Sequence, residues 1–210
     1  MERHTLQEKL ITSEFDYLLL THLLRAYQAP RDQISRFLRK GWITRIKKGI
    51  YVLGQDFGRP YSKFVLANMI HGPSYVTGYS ALAYYGAIPE RVDLMESETP
   101  SRRKDFSTPA GRFVYSYVNL KKYVRGIERI QLDAHRGFLI ATPEKALVGV
   151  VSRRKDIASL QDLSDYIASL RVDSEFLRSL KLKNLKSLKP VYDEKILGWL
   201  AEIIREMKAK

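Results

Sequence analysis

The chain has 210 residues, no cysteine, and 36 Lys and Arg against 23 Asp and Glu, for a formal net charge of +13. Without cysteine, a disulfide scaffold, a thiolate zinc site and a cysteine nucleophile are excluded. No run approaches the roughly 18 apolar residues of a membrane span, and the opening MERHTLQEKL lacks the apolar core of a signal peptide; the sequence predicts a soluble, cytoplasmic protein.

A pI of about 9.8 favours an acidic polymer as partner over a small acidic substrate. Part of the excess is spread along the chain. Residues 171–210 carry ten Lys and Arg against six Asp and Glu, which serves solubility or a second contact surface. The length fits a module over residues 1–55 followed by a larger unit over 61–210.

Residues 1–11 read as a short helix. Ser13-Glu14-Phe15-Asp16 fits the S-x-x-[DE] start signal of a second helix, whose apolar strip would be Leu18, Leu19, His22, Leu23 and Tyr27, with His22 a partly buried packing residue. A third helix follows. Pro30 suits its first turn, Ile34, Phe37 and Leu38 recur at the spacing of one buried face, and Gly41 stands where a left-handed residue stops a helix. Asp32, Arg36, Arg39 and Lys40 fall on the opposite face.

The period then changes. Trp42, Ile43, Ile46, Ile50, Tyr51 and Val52 are β-formers, and Lys47-Lys48-Gly49 between them predicts a hairpin. Across 31–48 there are seven cations (Arg31, Arg36, Arg39, Lys40, Arg45, Lys47 and Lys48) and one acid, Asp32. A basic helix followed by a basic hairpin is the order of a winged helix-turn-helix, and phosphate attracts such a surface by counterion release. In that reading Gln33, Arg36 and Arg39 contact base edges, since Arg pairs bidentately with guanine and Gln with adenine. Arg31, Ser35, Lys40, Arg45, Lys47 and Lys48 complete the DNA-binding set, chiefly through phosphate.

Gly54 to Pro60 reads as a linker. Helical spacing returns over 61–71, with His71 a plain end-of-helix residue, and Ser80–Gly86 is a short helix closed by Gly86. A β-rich part over 75–141 holds short runs at 75–77, 92–97, 113–118, 127–132 and 137–141, which predict a small, largely antiparallel sheet. From Thr142 the chain is helical. Thr142 caps, Pro143 takes the first turn, and Ala146, Leu147, Val150 and Val151 form the apolar face. A final helix presents Ile196, Leu197, Leu200, Ile203, Ile204 and Met207 as a core-facing stripe. The fold class expected is α+β, with an N-terminal winged helix-turn-helix and a mixed C-terminal unit.

Three runs, GWITRIKKGIYVL, YVTGYSALAYYGAIP and GFLIATPEKALVGVV, together resemble the AbiEi-family antitoxins of type IV, abortive-infection toxin–antitoxin systems. The likeness lies in the order of a wing (Arg45, Gly49, Tyr51), a small-residue helix (Ser80, Ala81, Leu82), a β-rich core and the T-P-E-K-A-L helix (Thr142 to Leu147). It implies two roles. The N-terminal part would bind inverted repeats in its own promoter and repress the operon, as a monomer or weak dimer cooperative on DNA. The C-terminal part would counteract a nucleotidyltransferase-like toxin without a stable complex. Relatives often carry Asp where this chain has Gly149, so no role is carried over to that carboxylate.

Other readings are weighed beside this one. A basic helix also suits a protein-interaction module. Asp93, Glu96 and Glu98, with Arg102, Arg103 and Lys104 following, are the residue types of a metal-dependent nuclease, although an alternating strand sends Asp93 and Glu96 to opposite faces. Arg102-Arg103-Lys104 is equally a candidate second DNA surface. Asp133 and His135 form a polar pair that reads as a turn rather than a catalytic dyad. No enzymatic activity, metal or cofactor is expected.

Overall fold

The computed structural model describes residues 2–90 and 92–209. It is a mixed α+β fold around two hydrophobic cores. The smaller core is built by α1 (Arg3–Lys9), β1 (Glu14–Asp16), α2 (Tyr17–Leu23), α3 (Pro30–Arg39) and the hairpin β2 (Ile43–Lys47) and β3 (Ile50–Leu53). The three strands form one sheet in the order β1-β3-β2. Leu6, Leu20, Ile34, Phe37, Tyr51 and Leu53 are among the side chains buried there.

The second helix begins later than its start signal implies. Residues 14–16 pair with β3 as a strand, and the Asp16 carboxylate caps α2 by accepting from the Leu19 amide at 2.8 Å. The helix also packs through a different face from the expected strip. Leu20 and Leu24 are buried, whereas Leu18 is 73 % exposed, and His22 is exposed rather than packed.

β3 is apolar on both faces because it is covered on both. Tyr51 and Leu53 enter the smaller core, while Val52 and Ile50 face the larger one. Strand alternation from Ile43, which faces the smaller core, turns Ile46 to the larger core as well. Residues 54–60 therefore do not form a free linker. Gln55–Phe57 make a 3-10 turn whose Phe57 is buried in the smaller core. Ser13 Oγ donates to the Arg59 carbonyl at 3.1 Å. The buried carboxylate of Glu14 accepts from the Ser62 amide and lies 3.5 Å from Arg136.

The larger core surrounds a six-stranded sheet in the order β6-β7-β5-β4-β9-β8. Its strands are β4 (Tyr75–Val76), β5 (Leu94–Thr99), β6 (Lys104–Thr108), β7 (Gly111–Tyr117), β8 (Ile127–Gln131) and β9 (Gly137–Ala141). The sheet is mixed. β5–β7 and β4–β9 are parallel, and the other three pairs are antiparallel. Strand β6 is absent from the sequence reading, because Lys104-Asp105-Phe106-Ser107-Thr108 is an edge strand mostly in solvent, with little apolar alternation to mark it. At the β8–β9 turn Asp133 accepts from the His135 and Arg136 amides at 2.9 and 2.8 Å, so this pair is a turn.

Helices α4 (Lys63–Ile70), α5 (Gly78–Tyr84) and α7 (Pro143–Val151) pack on this sheet. The remaining helices, α6 (Leu120–Tyr123), α8 (Leu160–Ser169), α9 (Ser174–Ser179), α10 (Leu182–Ser187) and α11 (Glu194–Ala209), complete the unit. Strand β9 and helices α5, α10 and α11 enclose α7, so every residue from Glu144 to Val151 is buried, rather than one apolar face alone. Leu197, Leu200, Ile203 and Ile204 of α11 are buried core residues. No helix among the described residues is long and apolar enough to cross a membrane.

Candidate nucleic-acid interface

Ile34 and Phe37 fix α3 by its apolar face, and Phe37 stacks on Trp42 just beyond the helix at 5.5 Å. Gly41, at φ 66°, supplies the left-handed residue that reverses the chain. The hairpin turn uses Gly49 in the same way, at φ 88°. Arg45 pairs with Tyr51 across the hairpin, and Tyr51 is buried against Phe15 and the α3 core. Helix and hairpin are thus held by one set of aromatic side chains.

The side chains of Arg31 and Arg39 of α3, Arg45 of β2 and Lys48 of the turn are exposed and make no hydrogen bond or ion pair among the described residues. Arg36 is half-buried and also unpaired. These five keep their charge free. The others are committed in part. Gln33 is half-buried, with its Oε1 turned inward and unpartnered. Ser35 Oγ donates to the Arg31 carbonyl at 3.1 Å, the back-bond common to helical serines. Lys40 Nζ lies 4.7 Å over the Trp42 ring.

Lys47 departs most from the sequence reading. Its ammonium donates to the Ile70 carbonyl at 2.7 Å and sits 4.3 Å over the Phe106 ring. Burial, with the nearby charge of Lys104, lowers its pKa. The bulge in β2 explains this placement, since it turns Lys47 toward the larger core beside Ile46. A bulge has no signature in residue spacing.

Arg102, Arg103 and Lys104 are exposed where β6 begins. They stand beside the hairpin: Lys104 is within charge range of Lys47, and the Arg102 carbonyl meets His71 Nε2 at 3.2 Å. The free cations of the helix, the hairpin turn and the β6 start thus come from both cores.

The carboxylates weighed for a nuclease take separate partners. Glu96 binds Arg153 at 2.8 Å and the Tyr79 amide at 2.6 Å. Glu98 is buried and accepts from the Tyr75 hydroxyl. Asp93 lies exposed ahead of β5. Among the described residues no group of three or more His, Cys, Asp or Glu is placed to hold a metal ion.

Sequence reasoning missed a buried polar cluster at the start of α7. Lys145, fully buried, donates to the carbonyls of Lys122 at 2.8 Å and Arg125 at 2.7 Å and lies 4.1 Å over the Tyr75 ring. Burial brings its pKa down to about 7, against the opposing pull of Glu98. Glu144 accepts from the Lys181 amide at 2.8 Å and from Asn184 at 3.3 Å. The charged pair inside T-P-E-K-A-L therefore pins the loop after α6 and the entry to α10. The one available signal was two charges directly preceding a continuous apolar run.

No protein-family model matches the sequence, and no curated protein matches it. Among solved structures, the RV2827C protein from Mycobacterium tuberculosis shares the fold, with a TM-score of 0.61 at 14 % identity, covering 98 % of this chain and 75 % of that one. At this identity the likeness speaks for the fold alone.

Proposed function

We propose that the chain is a sequence-specific DNA-binding repressor whose N-terminal part is a winged helix-turn-helix. The element order α1-β1-α2-α3-β2-β3 and the strand order β1-β3-β2 support this reading. The observation that carries it is the set of unpaired cations, Arg31, Arg36, Arg39, Arg45 and Lys48, on one helix and its adjoining hairpin. Helix α3 enters the major groove, where Arg36 and Arg39 read base edges. Lys48 and Arg45 engage phosphate beside it, and Arg102, Arg103 and Lys104 extend the phosphate contact past the hairpin. Lys47 acts as an internal anchor of the hairpin rather than as a phosphate ligand.

With the resemblance to AbiEi antitoxins, the reading extends to a cytoplasmic type IV antitoxin. The N-terminal part would repress its own promoter at inverted repeats, and the remainder would counteract a nucleotidyltransferase-like toxin.

Fluorescence anisotropy on the DNA upstream of its own reading frame, at two salt concentrations, tests the DNA reading. Affinity should fall steeply with salt. Arg39→Ala should cost about 1–3 kcal/mol and relax preference at one base pair, while Lys48→Ala should weaken all sequences alike and flatten the salt slope by about one. Equal losses on every sequence for both variants would refute the division between reader and positioner. Salt-independent binding would remove the DNA reading altogether.

A further inference from the structure

Residues 70–73, where α4 ends, grip two surface elements at once. The Ile70 carbonyl accepts from the Lys47 ammonium of the hairpin at 2.7 Å. The next residue, His71, meets the Arg102 carbonyl through Nε2 at 3.2 Å; a carbonyl only accepts, so that nitrogen carries the proton. The Pro73 carbonyl accepts from the Thr99 hydroxyl at 2.7 Å, and the same hydroxyl accepts from the Ser101 amide at 3.1 Å. The loop between β5 and β6 is therefore held near both of its ends. The side chains of Arg102 and Arg103 stay exposed.

Aromatic rings back both grips. The Phe106 ring lies 4.3 Å from the Lys47 ammonium, 6.3 Å from the His71 ring and 5.9 Å from the Tyr115 ring. Tyr115, fully buried, stands edge-on to His71 at 5.1 Å and donates to the Ala67 carbonyl of α4 at 2.7 Å. The hairpin, the end of α4 and the β5–β6 loop thus meet on one packed cluster.

Two groups of phosphate contacts bind more tightly when their spacing is fixed before binding, because less ordering is left to association. A tie of this kind adds no charge to the contact. Its loss lowers affinity but leaves the number of phosphates neutralised, and hence the salt slope, unchanged.

We infer that Lys47 and His71 are positioning residues of the DNA surface, which set the spacing between the hairpin cations and the Arg102–Arg103 loop without touching DNA. This role rests on the DNA reading of Arg45, Lys48 and the cations at the start of β6.

The test titrates the full chain by fluorescence anisotropy against the DNA upstream of its reading frame, from about 50 to 200 mM salt. Lys47→Met keeps a chain over Phe106 and drops the bond to Ile70. His71→Phe keeps a ring against Tyr115 and drops the bond to Arg102, and it preserves a readout should Lys47→Met fold poorly. Each should weaken binding about three- to tenfold with the wild-type salt slope, whereas Lys48→Ala should flatten that slope by about one. On a background of Arg102→Ala and Arg103→Ala, either variant should cost less than about twofold, because the loop then has no arginine left to place. Wild-type affinity in either variant overturns the role of that residue. A slope flattened by about one in Lys47→Met overturns it in favour of a direct phosphate contact. An equal loss on the two backgrounds overturns it in favour of general loosening of the fold. A wild-type chain without salt-dependent binding removes the DNA reading itself, and the role with it.

Discussion

Lys145→Met replaces a fully buried ammonium by an apolar chain of similar length. In the native chain burial brings this lysine to about 7, whereas an unfolded chain titrates it near about 10.4. Between those values the unfolded state binds more protons, so stability rises with pH, and below about pH 7 the whole cost of burying the charge is present. One differential proton is worth about 1.4 kcal/mol per pH unit. From pH 7.5 to 9.5 Lys145 should therefore add on the order of 2 kcal/mol of stability. Above about pH 10 the trend reverses, because burial raises the hydroxyls of Tyr75, Tyr85, Tyr115 and Tyr192 and the unfolded chain then loses protons first. Urea unfolding followed by tryptophan fluorescence at pH 7.5, 8.5 and 9.5 measures the effect. Lys47 and Lys122, also lowered by burial, remain in both proteins, so the difference between the two pH slopes isolates Lys145. A Lys145→Met protein with the same rise as wild type would show that the buried ammonium is not the group that titrates.

Three further outcomes follow from local geometry. Asp16→Ala removes the cap of α2 and should cost about 1 kcal/mol by thermal unfolding; an unchanged midpoint would mean the cap is replaced by water. Lys47→Ala loses the Ile70 carbonyl and the Phe106 ring and should destabilise by about 1–2 kcal/mol, while Lys48→Ala, at an exposed unpaired residue, should stay within about 0.5 kcal/mol of wild type; equal effects on denaturation would contradict the anchoring role. Gly149→Ala places a methyl 3.7 Å from the Tyr192 hydroxyl, an ordinary contact, so helix propensity should raise stability by up to about 1 kcal/mol; a fall in midpoint on calorimetry would show that α7 has no room there.

The burial of β3 on both faces has a functional consequence. The hairpin that carries Arg45 and Lys48 is shared between the two cores, through Ile46 and Val52 on one side and Ile43, Tyr51 and Leu53 on the other. Glu14 and Arg136 add a polar tie between the same two parts. In the DNA reading, the hairpin is thereby held in fixed register with the cations at the start of β6.

Much of this was legible in residue order. The buried face of α3 shows in the spacing of Ile34 and Phe37, its end in Gly41, and the hairpin in Lys47-Lys48-Gly49 between β-formers. Thr142 and Pro143 mark the start of α7, where Thr142 accepts from the Lys145 amide at 3.4 Å. Elements whose environment comes from elsewhere were less legible. Residues 14–16 look like a helix start because only the distant β3 makes them a strand. Strand β6 carries little apolar signal because its outer edge faces solvent.

By itself, the sequence determined what depends on near neighbours: apolar period, caps, glycine turns, and the density of positive charge over 31–48. Those features arise within one or two helical turns, so local spacing encodes them. Tertiary structure alone decided which charges stay free. Lys47 and Lys48 are adjacent and chemically identical, yet one is held by a carbonyl and an aromatic ring contributed by residues 70 and 106 and the other stands in solvent. The same holds for Glu144 and Lys145, whose hydrogen-bond partners lie between 20 and 40 residues away. Desolvation and pairing depend on what the folded chain brings alongside a residue, and no local pattern records that.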